Sequence, residues 1–215
     1  MMYQAANRLE PDTYHRLARA VFAEMACAGM SVVGEFHYLH HQANGTPYAN
    51  PNAMGEALLA AASEAGIRIT LLDTIYLHSG LTTNGPQRPE GVQNRFTDRT
   101  EEQWVKRVSD IALASGQRLG AAVHSIRAVN RGAITAVSEW ARAHGAPLHA
   151  HVSEQVAENE QCQAWLGCTP TALLESVGAL ETNFTAVHAT HLTDRDIEML
   201  GDGNCTVCML SLIHI

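Results

Sequence analysis

The sequence predicts an α/β fold of parallel strands covered by helices, and three observations support this. Short β-rich runs alternate with amphipathic stretches along the chain, which is typical of parallel βα units. Strand runs such as VVGEF and AAVHSI are almost continuously apolar, as expected of strands covered on both faces. Polar and histidine residues recur where these runs end. That feature favours a partial (β/α)8 TIM barrel over an open doubly wound sheet, because a barrel assembles its active site from the carboxyl ends of its strands.

Six strands and six helices are predicted in alternation. The strands are predicted at residues 30–37, 67–76, 119–126, 147–153, 185–190 and 205–210. The helices are predicted at residues 11–28, 52–65, 101–115, 131–144, 169–177 and 193–200. Helical stretches are followed by glycines, which can adopt the left-handed conformation that stops a helix. These glycines are Gly29, Gly66, Gly116, Gly145 and Gly178.

The predicted barrel is incomplete. A full barrel takes about 250 residues and eight units, whereas this chain has 215 residues, opens on a helix and stops at a strand. We therefore expect residues 1–209 to form one incomplete barrel domain containing about strands two to seven. Its open edges, at residues 30–37 and 205–210, should expose apolar surface. The tail 210–215 is atypical, and one hypothesis is that it is foreign sequence, so His214 is assigned no role.

Composition narrows the class of protein. A formal charge of -8 with only 14 scattered Lys and Arg residues argues against a nucleic-acid partner. No apolar run reaches the roughly 20 residues that span a bilayer, and the N-terminal segment lacks the order of a signal peptide. Five cysteines, an odd number, indicate reduced thiols. The Cys205–Cys208 pair is interpreted as buried small side chains rather than metal ligands. We expect a cytoplasmic protein with no membrane partner.

The strongest local signal is the run HAHVSEQ at residues 149–155. Alternate residues of a strand share a face, so His149 and His151 should both point into the barrel, with Glu154 just beyond the strand. A neutral imidazole is a preferred zinc ligand, and a nearby carboxylate can take a proton from water. The alternative is a pair of hydrogen-bonded core histidines, and the run alone does not decide between them.

His188 ends the next predicted strand, so it should lie beside His151. It could bind metal, or donate a hydrogen bond to a tetrahedral intermediate. A hydrogen-bonded rim histidine without a chemical role remains an alternative. His191 lies further into the loop, where a capping or solvent-exposed role is expected.

Four motifs, in this order, resemble those of formimidoylglutamate deiminases, members of the metal-dependent amidohydrolase superfamily. They are EFHYLHH at 35–41, HSIRAV at 124–129, HAHVSEQ at 149–155 and VHATH at 187–191. The resemblance covers about residues 3–209. It implies that the parent enzyme converts N-formimino-L-glutamate, a small-molecule substrate, to N-formyl-L-glutamate and ammonia in histidine degradation, through metal-activated water. It also implies a homodimer.

The resemblance also implies residue roles. Carried over position by position, it makes His151 a ligand of one zinc ion, Glu154 the acid/base and His188 the residue that stabilises the reacting centre. The residues implied to hold the substrate are Tyr38, His124 and Arg127. A guanidinium suits a substrate carboxylate because it can bind both oxygens at once.

Several neighbours of these motifs are given lesser roles. His37, His40 and His41 flank Tyr38 and are interpreted as supporting or loop residues. The long loop 79–98 is expected to act as a lid, and Arg95 within it to be a solvated arginine.

Two parts of the family pattern are missing. The metal-binding HxH of the first barrel strand is expected upstream of the chain, and the metal-binding Asp of the eighth strand downstream. With three of four zinc ligands outside, this fragment is expected to be inactive. Two other functions stay open: a superfamily deaminase of purines or related heterocycles, and a non-catalytic barrel remnant.

Overall fold

The computed structural model describes residues 5–210. Its main feature is a curled six-stranded sheet in which every neighbouring pair of strands is parallel. In spatial order the strands are β1 (Val32–His37), β2 (Arg68–Ile75), β5 (Gln117–Ser125), β6 (Pro147–Val152), β7 (Asn183–His188) and β8 (Thr206–Cys208). A separate hairpin joins β3 (Gly80–Thr82) to β4 (Gly85–Gln87). The prediction of a partial (β/α)8 barrel, with open edges at its first and last strands, is confirmed.

Seven helices lie within residues 11–210; the first helix precedes the first strand and the other six lie between strands. They are α1 (Pro11–Cys27), α2 (Ala53–Ala65), α3 (Glu101–Ser109), α4 (Arg131–His144), α5 (Val156–Leu166), α6 (Pro170–Ser176) and α7 (Asp194–Asp202). Helices α3, α4, α6 and α7 begin at Thr or Asn residues whose side-chain oxygens accept a backbone N–H of the first turn. Helices α2 and α4 end at Gly66 and Gly145, which are left-handed with φ of 74° and 57°. Short 3-10 helices lie at Gly91–Arg95 and Ala179–Glu181.

The two faces of the sheet have different chemistry. In β6, Leu148 and Ala150 are fully buried in the core that the helices cover. Their neighbours His149 and His151 point to the other, concave face, because successive strand residues alternate. The helix side therefore supplies the apolar core, and the concave side carries the histidines.

Three segments differ from the predicted elements. The helix expected at 101–115 ends at Ser109. Helix α5 was not predicted, because the residues it buries are Glu158 and Cys162 rather than an apolar stripe. The expected lid loop contains the β3–β4 hairpin, which rests on α5. There an added Cβ on Gly85 would lie 3.0 Å from the Trp165 ring.

The sheet edges and the thiols also bear on the predictions. Val32 of β1 and Val207 of β8 are 55% and 42% exposed, as expected of open edges. Cys205 and Cys208 are only half-buried, so the expectation that they are core residues is wrong, although all five cysteines are free. Between residues 5 and 210, no helix is both long and apolar enough to cross a membrane. The tail 211–215, with His214, lies outside the described residues.

Candidate functional site

Three histidines from neighbouring strands meet at the carboxyl end of the sheet. His124 and His151 are the second-last residues of β5 and β6, and His188 ends β7. The His151 ring centroid is 5.2 Å from that of His124 and 5.4 Å from that of His188. Phe36 of β1 covers the His151 ring at 4.4 Å. The concave face thus brings imidazoles from three consecutive strands into one row.

The backbone at the end of β7 is left-handed, which is uncommon outside glycine. His188 and Ala189 have φ of 72° and 51°. Simple alternation would place His188 with Phe184 and Ala186 on the helix-covered face, yet its ring lies against His151. Hydrogen bonds to the end of β6 hold this turn, from Ala189 N to the Val152 carbonyl and from His191 N to the Ser153 carbonyl, both 3.0 Å. The strained turn therefore directs the His188 ring to the rim.

The hydrogen bond of His151 fixes its tautomer. Its Nδ1 lies 2.6 Å from the backbone carbonyl of His124, an acceptor, so Nδ1 carries the proton. Burial lowers the pKa of His151, which keeps the ring neutral. Burial also lowers the pKa of His124, to about 3, with help from the charges of His151 and Arg127. His151 Nε2 is thus left with a lone pair that can bind a metal ion.

Arg127 lies between two carboxylates beside these histidines. Its Nη2 donates to Glu154 Oε2 at 2.7 Å, and its Nε donates to Ser125 Oγ at 3.3 Å. The second carboxylate belongs to Glu158, whose Oε2 is 3.8 Å from Arg127 Nε. Glu158 Oε2 also accepts the backbone N–H of Glu154 at 3.0 Å. Glu158 was not singled out from the sequence, where it looks like an ordinary helix residue.

The pKa values of the two carboxyl groups are shifted in opposite directions. Burial by itself would raise the pKa of Glu154, but the hydrogen bond and charge of Arg127 outweigh it and hold the pKa below its ordinary value. Burial raises the pKa of Glu158, since its side chain is fully buried and Arg127 compensates only in part. Glu154 also faces His188, whose Nε2 is 3.9 Å from Glu154 Oε1. Glu154 is therefore an ionised group next to a histidine and an arginine.

Aromatic residues enclose one side of this cluster. Tyr38 and Tyr76 both meet the His124 ring edge-on, at centroid distances of 5.2 and 4.9 Å. A cavity of about 180 Å³ opens between them. The cavity is lined by Tyr38, Tyr76, Ser79, Gly80, Phe96, His124, Arg127 and Ala128. Its size is below the roughly 300–1,000 Å³ of pockets for drug-sized ligands, which favours a small ligand.

The structure brings the residues singled out from the sequence to this one rim. They are Tyr38, His124, Arg127, His151, Glu154 and His188. His149 shares the concave face two residues before His151. His191 is exposed in the loop, as expected. The geometry shows convergence, and the chemical role of each residue remains a proposal.

A second polar cluster lies on the opposite, helix-covered face. The possible ligand atoms of His37, His40 and Asp73 lie within 4.8 Å of one another, a spacing that could hold a metal ion. However, Arg107 donates to both oxygens of Asp73, at 2.8 and 2.7 Å. Trp104 Nε1 donates to Asp73 as well, at 3.0 Å. The guanidinium thus already supplies the cation that Asp73 needs, and a metal ion would have to displace it.

Arg107 was not singled out from the sequence, yet it is the centre of this second cluster. It also binds both oxygens of Asp98, at 2.8 and 2.7 Å. The signal that points to such a partner is Asp73 itself, a charge in the middle of the apolar run ITLLDTIY. His40 and His41 line the same network and are buried. Both lie in the loop that follows β1, as expected, although their side chains are buried.

The interpretation of Arg95 as a solvated loop arginine is wrong. Its side chain is fully buried in the 3-10 helix that follows the hairpin. It donates to the backbone carbonyls of His41, Ala6 and Leu9. Arg95 therefore ties the segment before α1 to the loop after β1, and it is not placed to reach a ligand at the rim.

Comparisons with known proteins point to one family. Residues 3–214 match the model of the amidohydrolase family. The chain is 36% identical over 200 residues to formimidoylglutamate deiminase of Pseudomonas aeruginosa, covering 92% of this chain and 43% of that protein. It is 27% identical over 201 residues to a 5-methylthioadenosine/S-adenosylhomocysteine deaminase of Syntrophobacter fumaroxidans, covering 94% and 40%.

A solved structure gives the same picture. An amidohydrolase from Brucella melitensis superposes with a TM-score of 0.79 at 34% identity, covering 96% of this chain and 46% of that one. The chain thus spans less than half the length of the relatives that it matches.

Proposed function

The chain belongs to the amidohydrolase family, and from that premise we propose that its rim cluster serves the hydrolysis of N-formimino-L-glutamate to N-formyl-L-glutamate and ammonia. The coarser statement, a hydrolase acting on C–N bonds, follows from the family and from its deaminase relatives. That the substrate is a formimino compound is the more specific part of the proposal. It draws on the 36% identity to a formimidoylglutamate deiminase and on the composition of the cavity.

The observation that carries the proposal is the position of Arg127. Its guanidinium lines the cavity and touches Glu154, the only carboxylate of the rim that lies within 4 Å of a rim histidine among the described residues. A guanidinium beside an acid/base suits a substrate with a carboxylate close to the bond that is broken. A purine offers no such carboxylate. The cavity therefore favours an amino-acid derivative over a heterocycle.

The reaction adds water to the formimino carbon and releases the terminal nitrogen as ammonia. Glu154 takes a proton from the attacking water and returns it to the departing nitrogen. His188, 3.9 Å from Glu154, donates a hydrogen bond to the polar group that forms at the attacked carbon. Tyr38 and His124 bound the cavity, and Arg127 holds a substrate carboxylate. Each step uses a group of this chain at the rim.

A divalent ion fits the donor set in one respect. His151 donates through Nδ1 to a backbone carbonyl, the usual arrangement of a histidine that binds metal through Nε2. We propose that His151 is the ligand from this chain and that the ion is zinc. Such an ion, when bound, would lower the pKa of a water molecule towards neutrality. The family pattern assigns the other ligands to segments beyond this sequence.

The setting that goes with this function is cytoplasmic, with a homodimeric full-length enzyme. Five free thiols suit a reducing compartment. The homodimer rests on the resemblance to the deiminases.

A chimera tests the proposal. Residues 3–209 would replace the matching segment of the Pseudomonas aeruginosa deiminase, which then supplies the rest of the barrel. We expect ammonia release from N-formimino-L-glutamate, and a fall in kcat of roughly 10²- to 10⁴-fold for Glu154→Gln. Glu160→Gln, an exposed change on helix α5, which begins two residues after Glu154, serves as control.

The competing substrate class is tested in the same assay. Faster deamination of 5-methylthioadenosine than of N-formimino-L-glutamate would replace our proposal by a nucleoside deaminase. A folded chimera with its full zinc content and no turnover of either substrate would favour a non-catalytic remnant.

A further inference from the structure

The guanidinium that would hold the substrate is already bound to the proposed acid/base. Arg127 Nη2 donates to Glu154 Oε2 at 2.7 Å, a short charge-assisted hydrogen bond. A carboxylate held in this way is a poor proton acceptor, because Arg127 stabilises its ionised form. In the arrangement seen here, Glu154 is therefore restrained from its proposed task.

The substrate carboxylate would meet the same guanidinium. Within residues 5–210, Nη1 of Arg127 makes no hydrogen bond, and the residue lines the cavity. If a ligand carboxylate bound Nη1 and Nη2, three anionic groups would surround the single guanidinium. They are Glu154, Glu158 and the ligand. Like charges at such distances repel one another. Arg127 would therefore strengthen its contact with the ligand at the expense of Glu154.

One carboxylate is positioned to remain in place. Glu158 is fully buried, and its Oε2 accepts the backbone N–H of Glu154 while lying 3.8 Å from Arg127 Nε. It anchors the chain at Glu154 without using a hydrogen bond of the guanidinium. The side chain of Glu154, 31% exposed, has room to turn while its backbone stays fixed. The cluster thus contains one fixed and one exchangeable partner of Arg127.

We propose that Arg127 exchanges Glu154 for the carboxylate of the ligand, so that Glu154 is released for proton transfer only when a carboxylate-bearing molecule fills the cavity. This inference rests on the proposed function for its chemical meaning, but the exchange itself is a binding event. Arg127 would then determine specificity in two ways, by binding the ligand carboxylate and by releasing Glu154 only when that carboxylate is bound. A molecule without a carboxylate would leave Glu154 tied to Arg127 and would react slowly even when bound.

The test measures the affinity of glutarate for the 215-residue protein by calorimetry, at constant pH and ionic strength. Glutaramide, which has the same length and no charge, is the ligand control. The exchange predicts that Glu154→Gln binds glutarate about tenfold more tightly than the unaltered protein, because the oxygen that competes for Arg127 loses its negative charge and accepts a weaker hydrogen bond. Arg127→Gln should abolish saturable binding, and the double variant should behave like Arg127→Gln.

Glu158→Gln is the matched control for charge. It removes one negative charge beside the same guanidinium and keeps an oxygen that can accept the Glu154 N–H. We expect its gain in glutarate affinity to be clearly smaller than that of Glu154→Gln. Circular dichroism would show that each variant folds.

Three results would overturn the exchange. They are no Arg127-dependent binding of glutarate by the folded protein, no gain in Glu154→Gln, or equal gains in Glu154→Gln and Glu158→Gln. The proposed reaction fails separately, in the chimera assay. A protein that shows the exchange and no deimination would keep this inference and lose that function.

Discussion

Two arginines of this protein each lie between two carboxylates, and they differ in what surrounds them. Arg107, on the helix-covered face, makes paired hydrogen bonds to both Asp73 and Asp98, and its side chain is 4% exposed. Arg127, at the rim, makes one hydrogen bond to Glu154 and its side chain is 21% exposed. The first arginine has used its donors on the protein, whereas Nη1 of the second makes no hydrogen bond within residues 5–210. The saturated arginine stabilises the helix-covered face, and the unsaturated one is the residue for which we propose a role in recognition.

The largest expected effect is on stability. Arg107→Met should lower the free energy of unfolding by about 3–5 kcal/mol, because it leaves Asp73 and Asp98 buried without their cation. Arg127→Met should cost about 0–1 kcal/mol, because its ion pair is partly solvated. Urea unfolding of both variants measures the difference. Equal losses would mean that the two clusters are not distinct in kind.

The pH dependence of stability should also distinguish the clusters. Burial, then the charge of His40, lowers the pKa of His41 from 6.5 to about 4. The unfolded chain therefore binds more protons than the folded one between these values. Stability is fully present above pH 6.5 and declines as the pH falls towards 4. His37 and His40 have lowered pKa values for the same first reason and add to the decline.

Urea midpoints at pH 7.5, 6 and 5 would follow this decline, and His41→Gln should make it shallower. Glu154→Gln is the control from the rim, because the lowered pKa of that carboxyl puts its own contribution below about pH 4.5. A midpoint that does not change from pH 7.5 to 5 would contradict the assignment of neutral, buried histidines to the network.

The smallest expected effect concerns the strained turn at the rim. Ala189 has φ of 51°, which costs an L-residue about 1–2 kcal/mol, and glycine in its place loses about 0.4–1 kcal/mol through the unfolded chain. Ala189→Gly should therefore raise the free energy of unfolding by about 0.5 kcal/mol. Ala186→Gly, in the regular part of β7, should instead lower it by roughly 0.5–1 kcal/mol. Destabilisation by both would show that the turn is not strained.

The sequence predicted the strands well because their signal is local. Apolar runs mark the buried strands, and Gly66 and Gly145 mark helix ends, so the order of elements follows from patterns a few residues long. Helix α5 escaped because its buried positions hold Glu158 and Cys162, which give no apolar stripe. The hairpin escaped because its strands, three residues each, are too short to show alternation.

The site was predictable where it depends on strand ends, and not where it depends on distant partners. His124, His151 and His188 could be placed together, since parallel strands end at one edge. The partners of Arg95 are backbone carbonyls far away in sequence, and carbonyls leave no pattern in the amino-acid letters. Arg107 and Asp73 are 34 residues apart, so the sequence does not pair them. The position of Asp73 inside an apolar run indicates only that some cation must lie near it.

The contact between the hairpin and α5 has a practical consequence. Ser79 and Gly80, where the hairpin begins, line the cavity beside Arg127, and Gly85 at its other strand rests against Trp165. Trp104 and Trp140 are buried, whereas Trp165 is 48% exposed. The indole that touches the hairpin is thus the one most sensitive to solvent. The fluorescence of Trp165 would therefore report a movement of the β3–β4 hairpin without an added label.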